Sequence, residues 1–221
     1  MKINADVTEP AAVQSNALPW VPSPLPGVER RMLERDGGEV ARVTSIVRYA
    51  PGSRFSAHSH TGGEEFLVLD GTFSDDYGDF PAGTYVRNPV GSRHAPHSEA
   101  GTTILVKLWW MHPGDQDFVR IDTTREDLWQ AGETPDIEVM PLHAFGGETT
   151  ALYRLAPGAR LPAGSGGEEI FVLEGALAGH ESGAWLRTPI GSERDLISPA
   201  GARLFVKRGH LRDLPPAPPR Q

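Results

Sequence analysis

The chain has no cysteine among its 221 residues, which removes disulfides, thiolate metal sites and cysteine nucleophiles together. It has no apolar run near the roughly 18 residues that a membrane-spanning helix needs. No charged start followed by an apolar stretch opens it, so the expected compartment is the cytoplasm, away from any membrane. Positive charge is short as well, with 21 Lys and Arg against 29 Asp and Glu and a net charge of −8. Nucleic acid and anionic membranes need a basic face, and here the basic residues are scattered, so neither is an expected partner. Also missing is any sustained 3.6-residue apolar period, the mark of a helix. What the chain has instead is 25 glycines and 20 prolines, set between short β-biased runs, and that pattern predicts an all-β protein.

The runs can be read in order. Val28–Arg35 and Val40–Tyr49 flank a turn at Asp36–Gly38 and read as a hairpin. Phe66–Asp70, Thr84–Asn88 and Ile104–Trp110 read as further antiparallel strands bounded by Gly, Pro and Asp turns. The second half then repeats the first. Leu152–Gly175 matches Ile46–Gly71, and Leu186–Lys207 matches Val86–Lys107, with turns in the same places. Long-range agreement of this kind means two copies of one fold. The expected units are residues 1–112 and 113–210, followed by a proline-rich tail, 211–221, flexible or draped on the surface.

Chemistry concentrates in the first copy. His58 and His60 are two residues apart, so on a strand their imidazoles share a face, and Glu64 follows a Gly-Gly turn at the head of the next strand. His94, in the segment Arg87–Gly101, needs only to lie on a neighbouring strand to complete a set of three imidazoles and one carboxylate. Alternation sends Glu65 to the opposite face, where a structural role is expected. His97, Tyr49, Phe66, Tyr85 and Trp109 are candidates for the walls of a pocket beside this set.

These stretches resemble the two motifs of the cupin superfamily. Gly52, His58, His60, Glu64 and Gly71 fill the marked positions of the first, and Gly83, Pro89, Gly91 and His94 those of the second; Ser98 stands where the family usually has Asn. The resemblance implies two tandem cupin jelly-roll β-barrels, a bicupin, with His58, His60, Glu64 and His94 as ligands of one divalent metal per chain. Zinc comes first as the ion, with iron, manganese or nickel as alternatives. The second copy has lost its ligands: Ala163–Glu169 is two residues shorter and holds no histidine, and Arg194 stands at the position of His94. Glu168, the counterpart of Glu64, then needs a cation, and an ion pair between Glu168 and Arg194 is expected.

Within the cupins, the run from His58 to Pro96 resembles most closely the cupin domain of ChrR, the anti-sigma factor of an extracytoplasmic-function sigma factor. That likeness implies a sensory or regulatory protein of transcription and stress response, acting through a protein partner or a small-molecule ligand; a homodimer is a separate expectation. The sigma-binding zinc module of ChrR uses cysteine with histidine and has no counterpart in this cysteine-free sequence. The alternative is an enzyme, an iron or manganese dioxygenase or related cupin acting on a small carbonyl or phenolic substrate. A cavity beside the metal carrying a polar anchor would favour the enzyme.

Overall fold

The computed structural model describes residues 1–38, 40–192, 194 and 196–219. Among these, regular structure is β-strand except for two single turns of 3₁₀ helix, Ser15–Ala17 and Glu126–Leu128. No helix is long and apolar enough to cross a membrane. The expected hairpin forms from Val28–Gly37 and Ala41–Tyr49.

The first unit comprises Met1–Ala5, Pro19–Thr124 and the tail from Pro215. Its strands run antiparallel in the order Lys2–Ile3, Val28–Gly37, Ala41–Tyr49, Thr102–Leu108, Glu64–Asp75, Thr84–Asn88 and Val119–Asp122. The far half of Glu64–Asp75 leaves this sheet to pair with Gly78–Pro81 and with His97–Ser98, closing a barrel of two sheets that share one long strand. Phe66, Val68, Phe73, Val86 and Ile104 fill the space between them. Each large apolar side chain buried there contributes roughly 1.5–3 kcal/mol.

The second unit comprises Asp6–Leu18 and Arg125–Leu214. Its order is Gln130–Ala131, Ile137–Phe145, Glu148–Leu155, Ala202–Arg208, Glu168–Leu177, Ala184–Thr188 and Ala11–Gln14, around a core that includes Ile137, Leu161, Val172, Leu186 and Leu204. The two copies share their turn chemistry. Gly71 and Gly175 both have positive φ (71° and 72°), and a Cβ on either would lie 2.1 Å from the carbonyl oxygen of Gly101 or Gly201. Only glycine meets both demands.

The units therefore differ from the expected contiguous division at 112/113. Each repeat's opening segment belongs to the other repeat's unit: Val119–Asp122 pairs with Thr84–Asn88, and Ala11–Gln14 pairs with Ala184–Thr188. A capping hydroxyl repeats too, with Thr123 donating to the Gly83 carbonyl and Ser15 to that of Gly183, both at 2.6 Å. The physical reason is the sheet edge, which would otherwise present unpaired N–H and C=O groups. The tail is partly held down, since the buried Pro215 carbonyl accepts a bond from Arg42 Nη2 at 2.5 Å.

Candidate metal centre

His58 and Arg93–His94 meet in a two-stranded ribbon in which His58 stands directly opposite His94. The His60 backbone N–H donates to Ser92, and Gly91 N–H to the His60 carbonyl, so both histidine segments are locked together at the barrel mouth. The potential ligand atoms of His58, His60 and His94 lie within 4.8 Å of one another. Glu64 Oε2 approaches His60 Nε2 at 3.5 Å and His94 Nε2 at 3.6 Å. The four residues singled out from sequence are thus brought together.

This cluster fits a metal ion on its own geometry. His60 Nε2 and His94 Nε2 face each other at 2.8 Å. Two neutral lone pairs at that separation repel unless a proton or a cation lies between them, and nitrogen ligands at about 2.0–2.1 Å from a shared ion come nearly this close. The other ring nitrogens are occupied. His58 Nδ1 meets the Ser56 carbonyl at 3.1 Å, and His94 Nδ1 meets Asp75 Oδ2 at 2.9 Å, which leaves Nε2 of each for the ion. Burial holds the His60 pKa below its ordinary value against the charge of Glu64. At His94 burial also lowers it, but the Asp75 hydrogen bond and the charges of Glu64 and Asp75 outweigh that, so its pKa is raised.

Glu64 is held from behind. Asn88 Nδ2 donates to Glu64 Oε2 at 2.9 Å, and Arg120 Nη2 donates to Asn88 Oδ1 at 2.5 Å. The motif reading missed Asp75, Asn88 and Arg120. Asn88 had a usable signal, since its antiparallel partner is Glu64 itself.

Of the proposed pocket residues, Trp109 and Tyr49 lie at the site. Trp109, His58 and His60 line one cavity of about 290 Å³ with Arg30, Arg35 and a floor of Val43, Val47 and Val106. Trp109 has φ 64°, a left-handed conformation that is strained for a bulky residue, and its ring takes the space a Cβ on Gly62 would need. Tyr49 packs edge-on against Phe55 and Phe73, and burial with the charge of Glu64 pushes its pKa up. Phe66 packs against Phe73 in the core, the two rings tilted by 50° with centroids 4.7 Å apart. Tyr85 faces away from the site, donating to Glu65 Oε1 at 2.5 Å beside Arg87, because strand alternation puts it on the face of Glu65. His97 lies in the other sheet, opposite Arg54 and Ser74, outside the imidazole cluster.

The expected Glu168–Arg194 pair does not form. Glu168 Oε2 is bound by Arg208 Nε at 3.0 Å, and Arg208 also donates to the Tyr153 hydroxyl at 3.1 Å and to the Pro162 carbonyl. Arg208 is the cross-strand partner of Glu168, as Leu108 is of Glu64, so it reaches the carboxylate without any loop rearrangement.

The family model described as "ChrR Cupin-like domain" matches residues 8–112 and again 117–212. No curated protein sequence matches the chain. Among solved structures, a Nostoc punctiforme protein described as a "putative dioxygenase" is 16% identical with a TM-score of 0.75, over 97% of this chain and 88% of that one. A Pseudomonas aeruginosa protein described as a "putative glyoxylate induced protein" is 12% identical with a TM-score of 0.70, over 90% and 88%. The Escherichia coli pirin YhhW, in complex with nickel(II), is 14% identical with a TM-score of 0.59, over 94% and 100%. At these identities the likeness shows the shared fold.

Proposed function

The chain belongs to the ChrR cupin-like domain family along both of its repeats, and from that premise we propose that it is a metal-dependent cupin enzyme acting on a small molecule. The observation that carries this is the cavity: two residues of the proposed ligand set, His58 and His60, form part of its wall together with Arg30, Arg35 and Trp109. A purely structural ion would instead be closed off by packing. When bound, an iron or manganese ion would supply redox chemistry there, whereas zinc would supply Lewis acidity alone.

The roles of the residues follow from their contacts. His58, His60, His94 and Glu64 would hold the ion. Asp75 keeps the His94 proton on Nδ1, and Asn88 with Arg120 holds Glu64 in place. Tyr49 keeps its hydroxyl proton, because both burial and the nearby carboxylate disfavour the phenolate. Trp109 forms part of the apolar wall of the cavity, its ring packed against Gly62.

The family likeness favours a second reading, a sensory protein in which ligand binding at the same cavity changes a partner surface without turnover. The full chain, purified without added metal and loaded separately with Fe(II), Mn(II), Ni(II) and Zn(II), separates the two. Oxygen uptake is followed with small carbonyl and phenolic compounds. The enzyme reading expects uptake that depends on substrate in a redox-active form and none in the zinc form. Absence of uptake in every form, with ligand binding intact, would leave the sensory reading in its place.

A further inference from the structure

We infer that Ser45 sets the substrate preference of the cavity beside the metal centre: its hydroxyl, placed in an apolar floor, hydrogen-bonds a hydroxyl or carbonyl oxygen of a small substrate that also touches His58 and His60. The inference rests on the reading of this cavity as the substrate pocket of the metal centre.

Strand alternation sets the direction of this side chain. Val43, Ser45 and Val47 lie two residues apart on Ala41–Tyr49, and all three line the cavity. Thr44, between them, faces the other way, where its hydroxyl donates to Glu34 Oε2 at 3.3 Å and accepts from Lys107 Nζ at 2.7 Å. On one side Ser45 stands opposite Val106, itself a cavity residue, and on the other opposite Met32. The next pairs on that second side bring Arg30 opposite Val47 and, past a bulge at Leu33, Arg35 opposite Val43. The floor around Ser45 is otherwise apolar, formed by Val43, Val47, Val106 and Leu108, and the Trp109 ring is part of the wall.

Two observations mark this hydroxyl for a ligand. The first is its lack of a partner. Ser45 is 2% exposed, and among the described residues its hydroxyl makes no hydrogen bond. Ser74, Ser98 and Thr102, buried in the same barrel, donate to Asp79 Oδ1 and to the carbonyls of Thr72 and Asp70. A hydroxyl withdrawn from water without a partner is costly, and an incoming oxygen relieves that cost. The second observation is the repeat. Ala151 occupies the same place in the second barrel, opposite Val206 as Ser45 is opposite Val106. A methyl group fills that place in the barrel without the histidines, so the packing of the strand does not call for a hydroxyl. Because a hydroxyl both donates and accepts, it suits a hydroxyl or a carbonyl oxygen alike. The volume of about 290 Å³ is at the lower end for small-molecule sites, which fits a substrate of few heavy atoms.

Hydroquinone and p-cresol share a phenol end and differ at the other end by a hydroxyl against a methyl group. Anaerobic calorimetric titration of each into the full zinc-loaded chain is the measurement, and the ratio of the two affinities is the readout. Ser45→Ala introduces the side chain that the second barrel already carries at this place, and it should shift the ratio toward p-cresol by about five- to tenfold. A role in packing alone would weaken both probes together. A ratio that stays within about twofold of wild type, whether or not both affinities fall, would therefore overturn the inference and leave the pocket reading standing. No saturable binding of either probe to wild type at millimolar concentration would overturn both. Because the readout needs no turnover, a shifted ratio in a protein whose iron and manganese forms never consume oxygen would support the role of Ser45 while removing the enzyme reading.

Discussion

The two barrels are built on one pattern and have diverged at the same three consecutive positions. At the end of the strand opposite the inward glutamate, the first barrel has Leu108, Trp109 and Trp110, and the second has Arg208, Gly209 and His210. Leu108 leaves Glu64 facing two imidazoles, those of His60 and His94, whereas Arg208 neutralises Glu168 with its own side chain. Gly209 takes its positive φ of 79° at no steric cost, but Trp109 holds nearly the same conformation under strain. Trp110 stacks with Lys107 and Arg42, and His210 bonds Glu169 at 2.9 Å. One copy therefore keeps a carboxylate held by the neutral Asn88 amide beside two imidazoles, and a strained aromatic at a cavity. The other has internal partners for the same carboxylate, as expected of a barrel kept for its fold.

The sharpest test of that contrast is Arg208→Ala. Glu168 is 1% exposed, and removing its cation should cost about 3–5 kcal/mol in denaturant unfolding. A loss below about 1 kcal/mol would show that the pair contributes little to the second barrel. The next effect lies behind the first site. Asp75→Asn keeps the size of the side chain but loses the charge that orients His94, and it should weaken metal affinity by about 10- to 100-fold in chelator competition. Unchanged affinity would mean that the Asp75–His94 bond does not tune the centre.

Acidity should act on the first barrel in a set order. Ligation needs neutral imidazoles, and the raised pKa of His94 makes it the first to take up a proton as pH falls, while the lowered pKa of His60 makes it resist. Apparent metal affinity should therefore start to weaken as pH falls through the raised His94 pKa and weaken further below it, as protons compete with the ion for the imidazoles. An affinity unchanged between pH 8 and pH 5 in chelator competition would contradict this assignment. The smallest expected effect is Arg194→Ala. This half-buried residue makes no ion pair among the described residues, so the change should alter stability by no more than about 0.5 kcal/mol.

Much of this was legible in the sequence because it depends on local rules. The glycines at Gly71 and Gly175 mark turns that only glycine fits, and they made the repeat visible. His58 and His60 share a face by strand period, and Glu65 was assigned to the opposite one, where it bonds Tyr85. What was not legible depends on register and irregularity. Arg194 occupies the sequence position of a lost ligand, yet a lost ligand's place in the motif does not say which cation reaches Glu168. Cross-strand register does, and it selects Arg208. The bulge at Leu33 leaves no composition signal, so the strand pattern of Val28–Arg35 does not single out Arg30 and Arg35 as cavity residues. Tyr85 was drawn toward the pocket by residue type alone, although its parity on the strand placed it on the other face.

The central claim is that one barrel holds a metal and the other does not, and elemental analysis of three full-length proteins tests it most directly. Wild type and Glu168→Gln should each carry about one divalent metal per chain, and His60→Ala should carry almost none, since it removes one of four ligands from a site that requires them together. Metal retained in His60→Ala, or lost in Glu168→Gln, would contradict the account.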